Sequence, residues 1–168
     1  MAQSTQKPER GILGQPAPRL DISKWIDGAG KPTAFDVGSL EGKWVFMKCF
    51  QSWCPGCHKM GFPSLKQFYD AFAEEPRVQA IAIQTVFEGF FTNTEEKVRD
   101  QQVRYDLPIV MGHDAGDPDG DHLPKTMKQY RTGGTPWIVV IDPRGVVVFN
   151  DFHINVGVAI EHIRSRLA

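Results

Sequence analysis

Two cysteines separated by two residues form the part of the sequence best suited to chemistry. Cys54 and Cys57 lie in the segment Trp53-Cys54-Pro55-Gly56-Cys57, after an apolar stretch and before a segment with helical periodicity. A cysteine at a helix N-terminus faces unpaired backbone N–H groups, which favour its thiolate and make it a nucleophile near neutral pH. Cys57, one turn further on, is placed to attack a mixed disulfide formed on Cys54. The spacing therefore predicts dithiol redox chemistry, with Cys54 as nucleophile and Cys57 as resolving cysteine.

Metal or haem binding at the same segment fits the sequence less well. Together with His58 the cysteines match CxxCH, the attachment motif of c-type haem, but the chain shows no export signal of the kind that haem attachment requires. A structural zinc site needs a second pair of ligands at standard spacing, which is missing. The four aspartates of residues 113–122 do not follow the calcium-loop pattern and predict a solvated acidic loop. We therefore expect no metal or other cofactor.

Length and composition indicate one domain with a single core. The chain has 168 residues, of which 41% are hydrophobic, which is too short for two ordinary domains. We expect a flexible N-terminal tail over residues 1–13 and the domain over residues 14–168. The net charge of −1 argues against nucleic acid or anionic lipid as partners. Without an apolar stretch of membrane-spanning length or a signal peptide, we expect a cytoplasmic protein, or a periplasmic one if a leader has been removed.

The hydrophobic pattern predicts which elements hold the cysteines in place. Residues 20–43 alternate short apolar pieces with turn residues, which is typical of an irregular hairpin. Residues 44–50 are almost continuously apolar and predict a buried central strand that ends where the motif begins. We expect further strands at residues 78–86, 107–111, 137–141 and 146–149, and helices at residues 57–75, 94–105, 124–131 and 155–167. Pro63 should bend the first helix. The order predicts an α/β fold in which a mixed sheet has helices on both faces.

Three motifs together resemble the thioredoxin superfamily, specifically its TlpA-like and redoxin (AhpC/TSA-related) branch. They are the WCPGC segment after a strand, the sequence GQPAP at residues 14–18, and Gly133-Gly134-Thr135-Pro136 before a strand hairpin. The resemblance extends from residue 14 to the C-terminus. It implies a thioredoxin-like fold, with a central mixed β-sheet flanked by helices, an N-terminal β-hairpin and a β-α insertion.

The resemblance also implies a docking edge for substrate. In the family, the proline that matches Pro136 is preceded by a cis peptide bond and lies against the cysteine pair, where the neighbouring backbone pairs with an extended partner peptide. Carried over, Trp53, Thr135 and Pro136 bind substrate. Gly133 and Gly134 supply the conformational freedom that a constrained X–Pro turn needs.

Three further residues are candidates for tuning the pKa of the cysteines. Lys48 occupies the strand position at which the best-known thioredoxins carry a buried acid, so the family's proton-relay group is absent there. A lysine beneath the cysteines either stabilises a thiolate or pairs with Glu88 at the end of the next strand. Glu88 is alternatively a proton acceptor for Cys57, as the resemblance to TlpA-like proteins implies. His58 adds positive charge when protonated, or is an exposed residue without a role. Cys49 faces away from Lys48 and is expected to be a core residue.

The sequence thus predicts a thiol–disulfide oxidoreductase that reduces protein disulfides. We expect it to act on protein disulfides with an unidentified thiol reductant, as a monomer. Two alternatives remain open. One is a thiol peroxidase-like redoxin, although Gln51 replaces the Thr or Ser that peroxiredoxins carry three residues before their reactive cysteine. The other is a thioredoxin-fold chaperone or adaptor in which the cysteines are not catalytic.

Overall fold

A mixed seven-stranded sheet forms the centre of the molecule. The structure, a computed structural model, describes residues 9–168, so the first eight residues of the predicted N-terminal tail lie outside the described part. The strand order is β2-β1-β5-β4-β3-β6-β7. The strands are β1 (Lys24–Ile26), β2 (Pro32–Thr33), β3 (Trp44–Phe50), β4 (Val78–Val86), β5 (Met111–Ala115), β6 (Trp137–Ile141) and β7 (Val147–Asp151). The predicted fold class, a thioredoxin-like mixed sheet with an N-terminal hairpin, is confirmed.

The sheet contains parallel and antiparallel pairs. Strands β3, β4 and β5 are parallel to each other, whereas β6, β7 and the N-terminal hairpin add antiparallel edges. The helices are α1 (Phe62–Phe72), α2 (Glu96–Arg104), α3 (Lys125–Tyr130) and α4 (Val156–Leu167), with a 3-10 turn at Val37–Leu40 and a π turn at Cys57–Gly61. Within residues 9–168 no helix has the length and apolarity to cross a membrane.

The core lies on both faces of the sheet because the side chains of β3 alternate. All seven residues of β3 are buried. Phe46 faces α1, where its ring stacks on Phe68 with 4.3 Å between ring centroids. Met47 and Cys49 face the other side, where they pack with Tyr130 and the N-terminal segment. The predicted core position of Cys49 is confirmed, and the same alternation directs Lys48 toward the α1 side.

The predicted strand over residues 107–111 is wrong, since the strand in this region, β5, begins at Met111 and runs to Ala115. Leu107 and Ile109 are buried, which explains their apolar character. Their backbone nevertheless turns, and the Ile109 N–H donates to the Leu107 carbonyl at 2.8 Å. Burial of side chains from a loop therefore produced the pattern of a strand.

The hydrophobic pattern of the sequence did not reveal β5, because this strand contains polar residues. Their hydrogen-bond partners lie in other elements of the fold. His113 Nδ1 lies 3.1 Å from Gln84 Nε2 of the neighbouring strand. The Asp114 carboxylate, which is buried, accepts a hydrogen bond from the Thr126 backbone N–H at 2.7 Å and so caps α3 from outside the helix. Such partners satisfy the polar groups inside the fold, but hydropathy does not reveal them.

The predicted bend of the first helix takes the form of a π turn. Helical conformation begins at Pro55, widens at Cys57–Gly61 and becomes regular in α1. Pro63 lacks an N–H and its ring crowds the carbonyl four residues earlier, so a regular turn here would lose a hydrogen bond and clash. The widened turn accommodates Pro63 and begins at Cys57, the second cysteine of the motif.

Candidate active site

The two cysteines lie in a groove at the carboxyl end of β3, which is the usual position for a site in an open α/β sheet. The groove has a volume of about 430 Å³. Four segments line it: the cysteine loop (residues 51–56), the β4–α2 loop, the turn at the cis peptide bond and the residue after β7. The lining residues are Gln51, Trp53, Cys54, Pro55, Phe87, Glu88, Gly133, Gly134, Thr135 and Phe152. The Thr135–Pro136 peptide bond is cis, as the resemblance implies.

Cys54 is placed to be a thiolate. Its sulfur accepts the backbone N–H of Cys57 at 3.2 Å, and its carbonyl accepts the first hydrogen bonds of the helix. Hydrogen bonding from the Cys57 thiol lowers the pKa of Cys54 to about 6, with smaller contributions from the Cys57 N–H, the Thr135 hydroxyl and the Lys48 charge. At neutral pH this sulfur is therefore mostly ionised and nucleophilic.

Cys57 has the opposite environment. Its side chain is fully buried, whereas Cys54 keeps 8% of its surface exposed to the groove. Burial raises the pKa of Cys57, and its hydrogen bond to Cys54 raises it further. Cys57 thus stays protonated until Cys54 has reacted, and only the Cys54 sulfur is accessible to another molecule. All three cysteines are free thiols in this structure.

Lys48 is a buried amine beneath the cysteines. It is fully buried, and its Nζ has no hydrogen-bond partner among the described residues. The Nζ lies 5.2 Å from the centre of the Phe62 ring, and a Cβ at Gly61 would overlap it. Burial lowers the pKa of Lys48 to about 8, against the opposing effect of the Cys57 and Cys54 charges. The missing side chain of Gly61 thus leaves the space that the amine occupies.

Glu88 does not pair with Lys48. It lies two residues beyond the end of β4, is exposed to solvent and lines the groove on the side of Cys54. Lys48 in contrast is buried and without a partner among residues 9–168. The alternative in which the two residues form an ion pair is therefore wrong, and Glu88 lies at the rim of the groove rather than beneath Cys57.

His58 is half-buried and hydrogen-bonded at both ring nitrogens, which differs from the exposed side chain considered above. Its Nε2 lies 2.6 Å from the Ser52 carbonyl oxygen, and its Nδ1 lies 2.5 Å from the Tyr105 hydroxyl. A carbonyl oxygen only accepts, so Nε2 carries a proton, and in the neutral ring Nδ1 accepts from Tyr105. The ring also stacks on Phe62, at 5.6 Å between centroids. His58 thereby ties the cysteine loop to the helix that follows it.

Three buried amide side chains that the sequence did not single out as site residues hold the loops of the groove together. Gln84 accepts the Ser52 N–H at 3.1 Å, and Asn93 accepts the Trp53 N–H at 3.1 Å. Gln51 bonds to both walls of the groove. The sequence offered a signal for Gln51 and Gln84, since each is a polar residue beside the cysteine motif or inside an apolar strand. A polar side chain is buried in such a position only when it is hydrogen-bonded.

The candidate metal-binding side chains of the described residues do not cluster. Among residues 9–168 no group of three or more His, Cys, Asp or Glu side chains is arranged to hold a metal ion.

Burial raises the pKa of Cys49 to about 12, which makes it an unreactive core thiol. In the acidic loop Asp117 and Asp121 accept backbone N–H groups of the loop itself.

Solved structures share this fold over most of their length. The chain is 27% identical to the thioredoxin-like superfamily protein SPOA0173, with a TM-score of 0.76 and coverage of 90% of this chain and 95% of that one. It is also 27% identical to a thiol-disulfide isomerase from Corynebacterium glutamicum, with a TM-score of 0.72 and coverage of 87% and 95%. Together with a cysteine pair of which one member is enclosed and the other faces the groove, the fold defines a thioredoxin-like protein with a CxxC motif.

The sequence comparisons agree with this class. The model of the AhpC/TSA family matches residues 13–150, and the chain belongs to this family. The chain is 28% identical, over 140 residues, to the thiol-disulfide oxidoreductase ResA of Bacillus cereus, and the match covers 83% of this chain and 69% of that protein. The predicted resemblance is confirmed, and the chain is a thiol–disulfide oxidoreductase.

Proposed function

We propose that the chain reduces disulfides of other proteins, with Cys54 as nucleophile and Cys57 as resolving cysteine. The observation that carries this proposal is the difference between the two sulfurs. Cys54 opens onto the groove and has a lowered pKa, whereas Cys57 is enclosed and has a raised pKa. Cys54 has to reach a disulfide of another protein, whereas Cys57 attacks only the mixed disulfide formed on Cys54. The two sulfurs therefore need different accessibility and different pKa values.

The reaction has two exchange steps. The Cys54 thiolate attacks one sulfur of the substrate disulfide, a mixed disulfide forms, and the first substrate sulfur leaves as a thiolate that takes up a proton. Cys57 then loses its proton and attacks the Cys54 sulfur, which releases the second substrate thiol and leaves a Cys54–Cys57 disulfide. The substrate gains two electrons, and a thiol reductant restores the dithiol by the reverse exchange.

Lys48 is the group we assign to the proton of Cys57. While Cys54 is a thiolate, its charge favours the ammonium form of Lys48. Once Cys54 is bound in the mixed disulfide that charge is gone, and burial favours the neutral amine, which can accept the Cys57 proton. Glu88 and His58 are less suited to this step, because Glu88 is exposed at the rim and both ring nitrogens of His58 are bonded elsewhere.

The groove favours an extended peptide as substrate. Trp53 is 47% exposed beside Cys54, Thr135 lines the opposite wall, and Pro136 lies against Gly56 of the cysteine loop. We assign Trp53, Thr135 and Pro136 to substrate docking, in a complex of one copy of the chain with its partner protein.

The acidity of Cys54 supports electron flow from the dithiol to the substrate. Its pKa of about 6 lies closer to the value of about 7 found in reducing thioredoxins than to the value of about 3.5 found in a strongly oxidising relative of the same fold. Electron flow toward the substrate suits a reducing compartment such as the cytoplasm.

The experiment that tests this function follows the reduction of insulin disulfides in the presence of dithiothreitol. We expect the protein to accelerate the reduction and Cys54→Ser to lower the rate by about 10³-fold or more. Incubated with insulin without dithiothreitol, Cys57→Ser should instead retain a covalent complex with an insulin chain, because the resolving thiol is missing and no added thiol releases the complex. Mass spectrometry of the trapped complex should place the bond on Cys54.

Cys49→Ala is the matched control, since this thiol is buried on the other face of the sheet and should be dispensable for the rate. Full insulin reduction by Cys54→Ser would contradict the proposal. Turnover of hydrogen peroxide without insulin reduction would favour the peroxidase alternative instead.

A further inference from the structure

Gln51 has a buried side-chain amide bonded at both ends. The residue follows β3 directly and is fully buried. Its Oε1 accepts the backbone N–H of Phe87 at 3.3 Å, and its Nε2 donates to the hydroxyl oxygen of Thr135 at 3.3 Å. The side chain thus connects the two loops that form opposite walls of the groove around Cys54.

The chemistry of these partners fixes the direction of each hydrogen bond. A backbone N–H only donates, so the oxygen of the amide must face Phe87 and the NH₂ group must face Thr135. The Thr135 oxygen is therefore an acceptor toward Gln51, and its own proton must point elsewhere. Thr135 and Cys54 line the same groove, and a hydrogen bond from the hydroxyl contributes to the lowered pKa of that cysteine.

We propose that Gln51 is a positioning residue that turns the Thr135 hydroxyl toward the Cys54 thiolate. The Gln51 amide thereby couples the Phe87 N–H to the Thr135 hydroxyl, whose own proton is left to face the Cys54 sulfur across the groove. The backbone of Gln51 also contacts the cysteine loop, since its carbonyl accepts the Cys54 N–H at 3.0 Å. This role rests on the proposed function but is measured on the free enzyme.

The test is a double-mutant cycle on the pKa of Cys54, obtained from the pH dependence of alkylation by iodoacetamide. Thr135→Val removes the hydroxyl and should raise this pKa by about one pH unit, the effect of one hydrogen bond to a charged group. Gln51→Leu should raise it by a similar amount, because the hydroxyl is no longer oriented. The double variant should match Thr135→Val alone, and Thr135→Ser should keep the dependence on Gln51.

Matched variants separate this role from a purely structural one. Gln79→Leu makes the same amide-to-aliphatic change at the far end of β4 and should leave the pKa of Cys54 unchanged. If Gln51→Leu does not fold, Gln51→Met supplies an unbranched side chain of similar length for the same cycle. An unchanged pKa in a folded Gln51 variant, or effects that add fully in the double variant, would overturn the proposal. Absence of insulin reduction by the wild type would instead overturn the proposed function and leave this result standing.

Discussion

For single residues, the reactivity of the site depends on the difference in solvent exposure between neighbouring polar groups. Cys54 and Cys57 are three residues apart, but one faces a groove and the other is enclosed. Beneath them lies an amine without a hydrogen-bond partner among the described residues. A buried amine that serves no reaction is costly, since its charged form loses hydration without compensation. This cost is the reason why we propose that Lys48 acts on the sulfurs.

Replacing Lys48 separates the two exchange steps. In Lys48→Met, the attack of Cys54 on a substrate disulfide should slow little, because the lysine charge is a minor cause of its lowered pKa. Resolution by Cys57 should slow by about 100-fold, the usual range for loss of a positioned proton acceptor. Rapid-quench kinetics with acid trapping of the mixed disulfide measures both steps. Lys59→Met, a change at an exposed lysine on the same turn, is the control, and equal slowing of both steps would refute the role.

At the scale of elements, the π turn brings the cysteines and the amine together. The widened turn begins at Cys57 and ends at Gly61, where the missing side chain admits the amine. The Lys48 side chain extends from β3 to the π turn. Its amine occupies the space that the missing side chain of Gly61 leaves, so the two residues have to match. Gly61 was not expected to matter from the sequence, because a glycine in a helical segment usually marks only weakened helix propensity.

A Cβ at Gly61 tests this fit. Gly61→Ala should lower the free energy of unfolding by about 1–3 kcal/mol, because the new methyl group overlaps Lys48 and forces it to move. In a Lys48→Leu background, whose shorter side chain ends before the overlap, the same substitution should cost less or even stabilise through helix propensity. Urea unfolding of the four proteins measures the coupling. Equal effects of Gly61→Ala in both backgrounds would show that the two residues are not coupled.

At the scale of the whole molecule, the site joins elements that are distant in the sequence. The cysteine loop, the β4–α2 loop and the turn before β6 meet at one end of the sheet. Their positions follow from the order of the strands, in which β3 lies between β4 and β6. Folding therefore creates the thiolate environment, and the ionisation of Cys54 is in turn linked to the stability of the fold.

This linkage predicts a pH dependence of stability that differs between the redox forms. The pKa of Cys54 is about 6 in the folded dithiol and 9.0 in an unperturbed thiol, so the unfolded chain binds more protons between these values. This difference of about three in pKa corresponds to about 4 kcal/mol at full effect, and solvent at the partly exposed Cys54 roughly halves it. Stability of the dithiol should thus rise with pH from about 6 toward 9 by about 2 kcal/mol, and this contribution is lost as pH falls through 6. The disulfide form, which lacks this ionisation, is the control. Parallel urea titrations at pH values of about 5.5, 7 and 8 measure the difference, and identical slopes for both forms would contradict the lowered pKa.

Features that depend on local pattern could be predicted from the order of the amino acids. Strand β3 and the helix that follows the cysteines follow from a continuous apolar run and from helical periodicity. The proposed division of roles between Cys54 and Cys57 rests on the chemistry of a helix N-terminus. The fold class followed from the order of the elements and from motifs that resemble a known family. These features need only neighbours along the chain, so their signals are present in the sequence.

Which polar groups are in contact became known from the folded structure alone. It placed Glu88 at the rim rather than beside Lys48, bonded His58 at both nitrogens, and brought Gln51 between the groove walls. Strand β5 also begins at the end of the apolar segment expected to form it and continues into polar residues. Those polar residues are hydrogen-bonded to other elements of the fold. Hydrogen bonds and desolvation act between residues that are far apart in the chain, and their outcome depends on distances that only the folded molecule sets.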